Sequence, residues 1–174
     1  MSINWKLKAA GALAAPIPII VIATMSAVIG GAHQGTASNN GPGGGVSDAV
    51  PDAYRADVIK AGSICAGISP ALIAAQISAE SNWNENAGSP AGAQGIAQFM
   101  PDTWNGGAGK DGDGDGVADP GNPHDAIWSQ GHYMCAMLST VKSYLEAGIA
   151  SGDPIELALA AYNAGLGAVQ AAGG

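Results

Sequence analysis

The stretch ESNWNENAGSPAGAQGIAQFMPDTW, residues 80–104, carries most of what this sequence predicts about fold and chemistry. It follows directly on a predicted helix. Ser69 is a favourable N-cap and Pro70 suits the first helical position, so that helix begins there and runs to about Ser81. A connection of about forty residues comes next, with only a short helical turn expected near residues 101–104; connections of this length in a compact domain usually carry function.

The rest of the chain indicates an all-α domain in which helices are joined by Gly-rich loops, without the alternating pattern of a strand. The pairs Asn122-Pro123 and Asp153-Pro154 repeat the N-cap and proline signal of a helix start. Besides the helix that begins at Pro70, the predicted helices cover residues 52–65, 123–146 and a final one at 154–165.

Glu80 occupies an unusual position on its predicted helix. It shares one face with Ile73 and Ile77, at the spacing i, i+4 and i+7. Burial and the negative end of the helix dipole both raise the pKa of a carboxyl group. A glutamate that stays protonated near neutral pH is what a general acid for glycoside cleavage needs. The alternative is a frayed helix end at which Glu80 faces water.

The blocks around Glu80 resemble those of the soluble lytic transglycosylase family, which is related in fold to goose-type lysozyme. The matching blocks, in order, are Glu80-Ser81 with Trp83, Ser89-Pro90, the GAQGIAQ segment that ends at Gln98, Met100-Pro101-Asp102-Thr103-Trp104, and ALAAYNAG at residues 158–165. The resemblance covers most of the domain and implies a lysozyme-like helical fold with a long Gly/Asp-rich loop.

The resemblance also implies residue roles. Glu80 is the single catalytic acid and then the base, Gln98 binds sugar, and Tyr162 with Asn163 lies opposite the glutamate. Many relatives have Ser where this chain has Gln94, so the contact of that Ser with the glutamate is either replaced or lost here. The candidate substrate-binding residues are therefore Gln98, Tyr162, Asn163, Gln94 and Ser81.

Two other sets of residues have more than one interpretation. Trp83 and Trp104 either wall a sugar-binding cleft or pack in the core, since aromatic rings do both. Gly92 and Gly95 are expected to let the backbone approach the glycan closely.

The reaction implied is cleavage of the β-1,4 bond between N-acetylmuramic acid (MurNAc) and N-acetylglucosamine (GlcNAc), with formation of 1,6-anhydro-MurNAc. Most glycosidases use two carboxylates, but the nearest other acids, Glu85 and Asp102, are expected in a loop and at a helix start. The alternatives are a muramidase in which water attacks, and a non-catalytic, calcium-stabilised peptidoglycan-binding module.

An acidic loop predicts a structural calcium site, with no cofactor needed for catalysis. It opens as D-x-D-x-D-G, with Asn122 where the usual bidentate acid stands and Asp125 as a possible replacement. The alternative is a flexible acidic loop without metal. The candidate ligands are Asp111, Asp113, Asp115 and Asp119.

The charge distribution and the N-terminal segment indicate which partners and which compartment to expect. All 14 Asp and Glu lie from Asp48 onward, against four of the six Lys and Arg. This excess argues against nucleic-acid binding, which needs cations against phosphates. Lys6 and Lys8 precede a long uncharged stretch, so residues 1–32 are expected to form a hydrophobic helix that is either a signal peptide or a membrane anchor.

The expected organisation is therefore an exported protein. A Gly/Ser-rich linker at 33–50 precedes a domain at 51–174, which is expected to be incomplete at its C-terminus because relatives usually continue with a further helix. The expected partners are peptidoglycan strands, the membrane through the N-terminal segment, and a secretion or conjugation apparatus. Cys65 and Cys135 predict a disulfide in an oxidising compartment, with two buried thiols as the alternative.

Overall fold

The computed structural model describes residues 48–174, and within them the predicted all-α class is confirmed, since no strand is formed there. The predicted N-terminal helix and all but the end of the predicted linker lie outside the described residues. Five helices are labelled here: α1 Arg55–Ala61, α2 Pro70–Ser81, α3 Pro123–Glu146, α4 Pro154–Ala164 and α5 Leu166–Ala172. No helix between residues 48 and 174 is long and apolar enough to cross a membrane.

Three shorter pieces complete the helical structure. A 3-10 turn, Asp52–Tyr54, precedes α1, and the α2–α3 connection contains one α-helical turn, Pro101–Thr103, followed by a π-helical turn, Trp104–Ala108. The turn predicted near residues 101–104 is therefore confirmed, although it continues further than expected.

The three predicted helix starts are confirmed by their caps. The Ser69 hydroxyl accepts a hydrogen bond from the Leu72 N–H at 3.2 Å. The Asn122 side chain accepts from the backbone two residues on, and Asp153 accepts from the second and third residues of α4. Each cap is followed by a proline whose missing N–H costs nothing at that position.

One predicted helix end is wrong, and so is the prediction that the helix at 154–165 is the final one. The first helix ends at Ala61 and not at residue 65, because Gly62 lies directly against Pro70: a Cβ on Gly62 would be 2.2 Å from the Pro70 nitrogen. The helix at 154–165 is not the last one, because the chain turns at Gly165, with φ 84°, and α5 follows. No side chain caps α5, so its start carried no sequence signal.

The core forms around α3, the longest of these helices at 24 residues. Ile127 and Met134 are fully buried on it, as are Ile73 and Ile77 on α2. At Gly131, α3 crosses α1 so closely that a Cβ would lie 2.6 Å from the Ala61 oxygen. The face of α2 that the sequence predicted to be apolar therefore faces the core and ends at Glu80.

A disulfide joins Cys65, in the α1–α2 connection, to Cys135 on α3, as predicted. It closes a loop with a sequence separation of 70 residues. On the chain-entropy model a loop of this length stabilises the fold by about 4 kcal/mol. The connection that leads into α2 is thus tied to the central helix.

Candidate active site

Glu80 lies in the last turn of α2, one turn after the fully buried Ile77. Its side chain is half-buried. Burial raises the pKa of the Glu80 carboxyl from 4.5 to about 7, because a carboxylate with few neighbouring polar groups is poorly solvated. No neighbouring acid contributes to this rise. The carboxyl group can therefore hold and release a proton near neutral pH.

The backbone has unusual φ angles directly after Glu80 and in the loop that contacts the end of α2. Among residues 48–174, three non-glycine residues have positive φ: Asn82 at 50°, Trp83 at 66° and Gln98 at 51°. Asn82 caps the end of α2, a position that Asn tolerates, whereas Trp83 and Gln98 have no such preference. Residues held in this region cluster at functional sites, where the surrounding structure compensates for the strain.

Gln98 belongs to a tight loop that faces the end of α2. The loop closes through paired backbone bonds between Gln94 and Phe99, at 3.0 and 3.2 Å. The Gln98 amide nitrogen donates to the Gly95 oxygen at 2.9 Å, and this bond leaves the carboxamide oxygen of Gln98 for other partners. The side chain is half-buried and held in place by its own loop.

The side chains of Ser81 and Gln94 differ in the hydrogen bonds that they make. The Ser81 hydroxyl donates to the Ile96 oxygen at 2.7 Å, which ties the end of α2 to the loop. Gln94 is exposed, and within residues 48–174 no hydrogen bond joins its side chain to Glu80. Ser81 therefore positions the loop, and Gln94 does not make the contact with the glutamate that the resemblance implied at its position.

Tyr162 on α4 lies close to Glu80. Its pKa is raised well above 10, first by burial, then by the negative charge of Glu80 and by Tyr133. The Tyr162 hydroxyl donates to the Ala97 oxygen at 2.8 Å. This bond joins α4 to the loop of Gln98, so α2, the loop and α4 meet at Glu80.

An aromatic cluster supports Tyr162 from behind. Its ring centroid lies 5.9 Å from that of Phe99 and 5.6 Å from that of Tyr133. Phe99 also packs edge-on against Trp104, at 5.2 Å. These distances and tilted geometries are typical of favourable aromatic pairs.

The remaining predicted residues make other contacts. Asn163 is exposed and its amide donates to the Leu159 oxygen on its own helix, so the structure does not bring it to Glu80. Trp104 is buried, which favours core packing over the cleft-wall interpretation. Trp83 is half-buried and stacks on Tyr54, with ring centroids 6.1 Å apart.

The interpretation of Gly95 needs correction. A Cβ at Gly95 would lie 2.0 Å from the Pro120 oxygen, so the close approach that requires glycine is made by the chain itself and not by a glycan. Gly92 has φ 97° and open space around it, so only its backbone conformation requires glycine.

The two acids considered as a second carboxylate have other surroundings. Glu85 accepts a hydrogen bond from the Tyr54 hydroxyl. Asp102 is exposed in the first turn of the short helix that begins at Pro101. As predicted, Glu85 lies in a loop and Asp102 at a helix start.

The acidic loop brings three of its four predicted ligands together. One carboxylate oxygen from each of Asp111, Asp113 and Asp115 lies within 4.8 Å of the others, and all three residues are exposed. The pKa of Asp113 is lowered, first by the hydrogen bond from the Asn122 side chain. Three carboxylates at this spacing offer part of the oxygen set that Ca²⁺ takes.

The other two acids do not join this group. Asp119 accepts from the Gly121 N–H at 2.8 Å. Asp125, considered as a replacement for the twelfth ligand, is fully buried, and its two oxygens accept from the N–H groups of Gly112 and Asp119. Asp119 and Asp125 therefore hold the loop backbone, and the carboxylates that lie together in the loop are those of Asp111, Asp113 and Asp115.

Sequence reasoning missed Tyr133 and the carbonyl of Ala97. Tyr133 sits on α3 and contacts Tyr162 from a helix that carried no expected site residue. The only available signal was its place on the long helix one turn before Met137, which is buried. The Ala97 oxygen had no signal, because any residue supplies a carbonyl.

Comparison with known proteins gives one family. The model of the family described as transglycosylase SLT domain matches residues 57–174. The match includes every candidate residue named above from Glu80 to Asn163. No solved structure matches the chain significantly.

Proposed function

Since this chain belongs to the transglycosylase SLT domain family, we propose that it cleaves the β-1,4 bond between MurNAc and GlcNAc with formation of 1,6-anhydro-MurNAc. The family acts on peptidoglycan by lytic transglycosylation, so the chain works outside the cytoplasm. The observation that carries the finer proposal is Glu80, whose pKa of about 7 suits a group that first gives and then takes a proton.

In the first step protonated Glu80 donates its proton to the glycosidic oxygen. The bond between that oxygen and C1 of MurNAc breaks, and GlcNAc leaves with the new hydroxyl group. The acetamido group of the substrate stabilises the positive charge at C1. A carboxyl group with a pKa of about 7 can hold this proton near neutral pH, so the step needs no strong acid.

In the second step Glu80, now a carboxylate, removes the proton from the O6 hydroxyl of MurNAc. The O6 oxygen then bonds to C1 and closes the anhydro ring, and Glu80 is again protonated. No water is consumed. One carboxyl group is sufficient for both steps, which agrees with a Glu80 pKa raised by burial without a contribution from a second acid.

Tyr162 and Gln98 assist Glu80 in these two steps. Burial and the charge of Glu80 keep the Tyr162 phenol protonated, so it adds no second negative charge. Its hydroxyl proton is donated to the Ala97 oxygen, so the phenol oxygen keeps its lone pairs as acceptors. Gln98, held by Gly95, offers its carboxamide oxygen to a sugar hydroxyl.

Mass spectrometry of muropeptides released from purified peptidoglycan by the full chain tests this proposal. Anhydro products from the wild type, and none from Glu80→Gln, are expected. Glu146→Gln is the matched control, since Glu146 is exposed at the end of α3. Products heavier by one water would show a muramidase, and binding without release would show a non-catalytic module.

The biological setting is also a proposal. Residues 1–32 would act as a signal peptide or an anchor and residues 33–50 as a tether, so that the domain at 51–174 opens or remodels the wall near the membrane. A secretion or conjugation apparatus is the partner that such local opening suits. Fractionation of cells that produce the chain with or without residues 1–32 would test the anchor. If these residues anchor the protein, their deletion should remove it from the membrane fraction.

A further inference from the structure

The residues that follow Glu80 take a backbone conformation that is rare for one of them. Trp83, three residues after Glu80, has φ 66°, and positive φ is unusual for a bulky side chain. Asn82 directly before it has φ 50°. A residue persists in this region only where the surrounding structure holds it there. The contacts on Trp83 therefore decide how the chain leaves α2.

Tyr54 supplies two contacts to this segment. Its ring stacks on the ring of Trp83, with the centroids 6.1 Å apart and an angle of 10° between the planes. Its hydroxyl donates a hydrogen bond to the carboxylate of Glu85, two residues after Trp83. We call Tyr54, Trp83 and Glu85 the tyrosine clamp. An aromatic pair and a hydrogen bond to a charged group both favour the observed conformation of the segment.

Tyr54 is itself fixed by the start of the domain. It ends the 3-10 turn Asp52–Tyr54, its N–H donates to the Pro51 oxygen at 3.0 Å, and its side chain is buried. Burial, then the hydrogen bond to Glu85 and the charge of that residue, raise the pKa of Tyr54 to about 12. The phenol is therefore a donor throughout the pH range in which Glu80 titrates.

Backbone hydrogen bonds lead from the clamped segment to the loop of Gln98. The Asn84 N–H donates to the Ser81 oxygen at 3.2 Å, and the Ala87 N–H donates to the Asn84 oxygen at 3.1 Å. The Gly95 N–H donates to the Ala87 oxygen at 2.9 Å, and the Gly95 oxygen accepts from the Gln98 side chain. The segment held by the tyrosine clamp is thus joined to the end of α2 and to the sugar-binding candidate.

We infer that Tyr54 is a positioning residue: through the tyrosine clamp it holds Glu80 and the Gln98 loop in the orientation that cleavage needs. The inference rests on the proposed function. It gives the Glu85 carboxylate the role of a hydrogen-bond acceptor and not that of a second acid. Tyr54 touches no reacting atom in this scheme, so its loss should slow the chemical step more than it weakens substrate binding.

The first test compares Tyr54→Ala, Tyr54→Phe and Tyr144→Ala in the full chain. Tyr144 is a half-buried tyrosine near the end of α3, outside the clamp. The rate of anhydro-end formation is measured against the concentration of soluble glycan strands, well below the unfolding temperature of each variant. We expect Tyr54→Ala to lower kcat about tenfold and Tyr54→Phe, which keeps the stacked ring, about threefold, with KM near the wild-type value. Tyr144→Ala should keep the wild-type kcat, and an equal loss in Tyr144→Ala would overturn the inference.

Glu85 provides a second test that leaves the buried ring of Tyr54 in place. Glu85 is exposed, so its replacement should change stability little. Glu85→Ala removes the acceptor of the Tyr54 hydroxyl and should lower kcat about threefold, whereas Glu85→Gln keeps an acceptor oxygen and should restore most of the rate. The losses in Tyr54→Phe and Glu85→Ala should not add in the double variant, because both remove the same bond. Fully additive losses, or wild-type kcat in Glu85→Ala, would overturn the inference.

A titration of Glu80 separates this inference from the proposed function. NMR follows isotope-labelled glutamate carboxyl groups, and the Glu80 signal is identified by its loss in Glu80→Gln. Its midpoint in the wild type should be about 7, and Tyr162 beside it stays protonated in this range. Tyr54→Ala should move the midpoint toward 4.5 by about one unit, because a displaced carboxyl group gains water, and Tyr144→Ala should not move it.

The outcomes of the titration and of the kinetic assay are distinct. An unchanged midpoint in Tyr54→Ala would overturn the inference, and so would an unchanged kcat. Glu85→Ala takes the place of Tyr54→Ala in both measurements if that variant does not fold. A shifted midpoint in a protein whose wild type forms no anhydro ends would refute the proposed function and leave the role of the tyrosine clamp in holding Glu80 standing.

Discussion

Replacing Glu80 by Gln should stabilise the folded protein above pH 7 and leave its stability unchanged below pH 4.5. Gln has nearly the shape of a protonated glutamate but carries no charge at any pH. The wild-type carboxyl has a pKa of about 7 in the fold against 4.5 in the unfolded chain. The half-buried carboxylate therefore destabilises the fold only where it is ionised.

The sign follows from proton binding. Between pH 4.5 and 7 the folded state holds a proton that the unfolded state has released, so wild-type stability falls as the pH rises through this window and levels off above it. Each pKa unit corresponds to about 1.36 kcal/mol. The full difference is at most about 3 kcal/mol, and residual hydration of a half-buried group lowers it.

Thermal unfolding of the wild type and Glu80→Gln at pH 4, 6 and 8 measures the effect. At about 4 °C per kcal/mol for a domain of this size, the variant should unfold up to about 10 °C higher at pH 8 and at the wild-type temperature at pH 4. Glu146→Gln, at an exposed position, should show no such pH dependence. A difference between Glu80→Gln and wild type that is zero, or equal at pH 4 and pH 8, would refute the buried-acid argument.

Three further predictions follow from the contacts around the site. Gly95→Ala should lower the free energy of unfolding by more than about 2 kcal/mol in a denaturant titration, because its Cβ would lie 2.0 Å from the Pro120 oxygen at φ 70°; a neutral result would contradict that packing. Tyr162→Phe should cost about 1 kcal/mol in the same titration, because the bond to the Ala97 oxygen is lost, and should slow cleavage; wild-type turnover would remove Tyr162 from the mechanism. Calcium should raise the unfolding temperature over that in chelator, and Asp113→Asn should abolish the rise; no rise in millimolar calcium would leave the loop without a metal role.

The helix starts could be predicted because their causes are local. Ser69, Asn122 and Asp153 each precede a proline, and each side chain caps the helix that follows. The end of α1 could not be predicted, because it depends on the approach of Gly62 to Pro70. Two segments that meet in space leave no pattern in either one alone.

The same distinction between local causes and contacts of distant segments holds for the candidate site. The raised pKa of Glu80 could be predicted, because the apolar face of α2 belongs to a single segment. The nearness of Tyr162 to Glu80 was accessible only through the family resemblance, since 82 residues separate them in the sequence. The contact of Tyr133 with Tyr162 had neither source, because it depends on how α3 packs against α4.

The acidic loop is held at its base by protein groups, and this limits what a cation does there. Asp125 is buried, and its carboxylate accepts backbone N–H groups at 2.7 and 3.0 Å, one from Gly112 and one from Asp119. It lies in the first turn of α3, where the helix dipole favours a negative charge. The Pro120 carbonyl, just beyond, packs on Gly95 in the loop that carries Gln98. The carboxylate that the motif offered as a calcium ligand thus orders the segment facing the site, so calcium at the exposed tip should change stability more than cleavage.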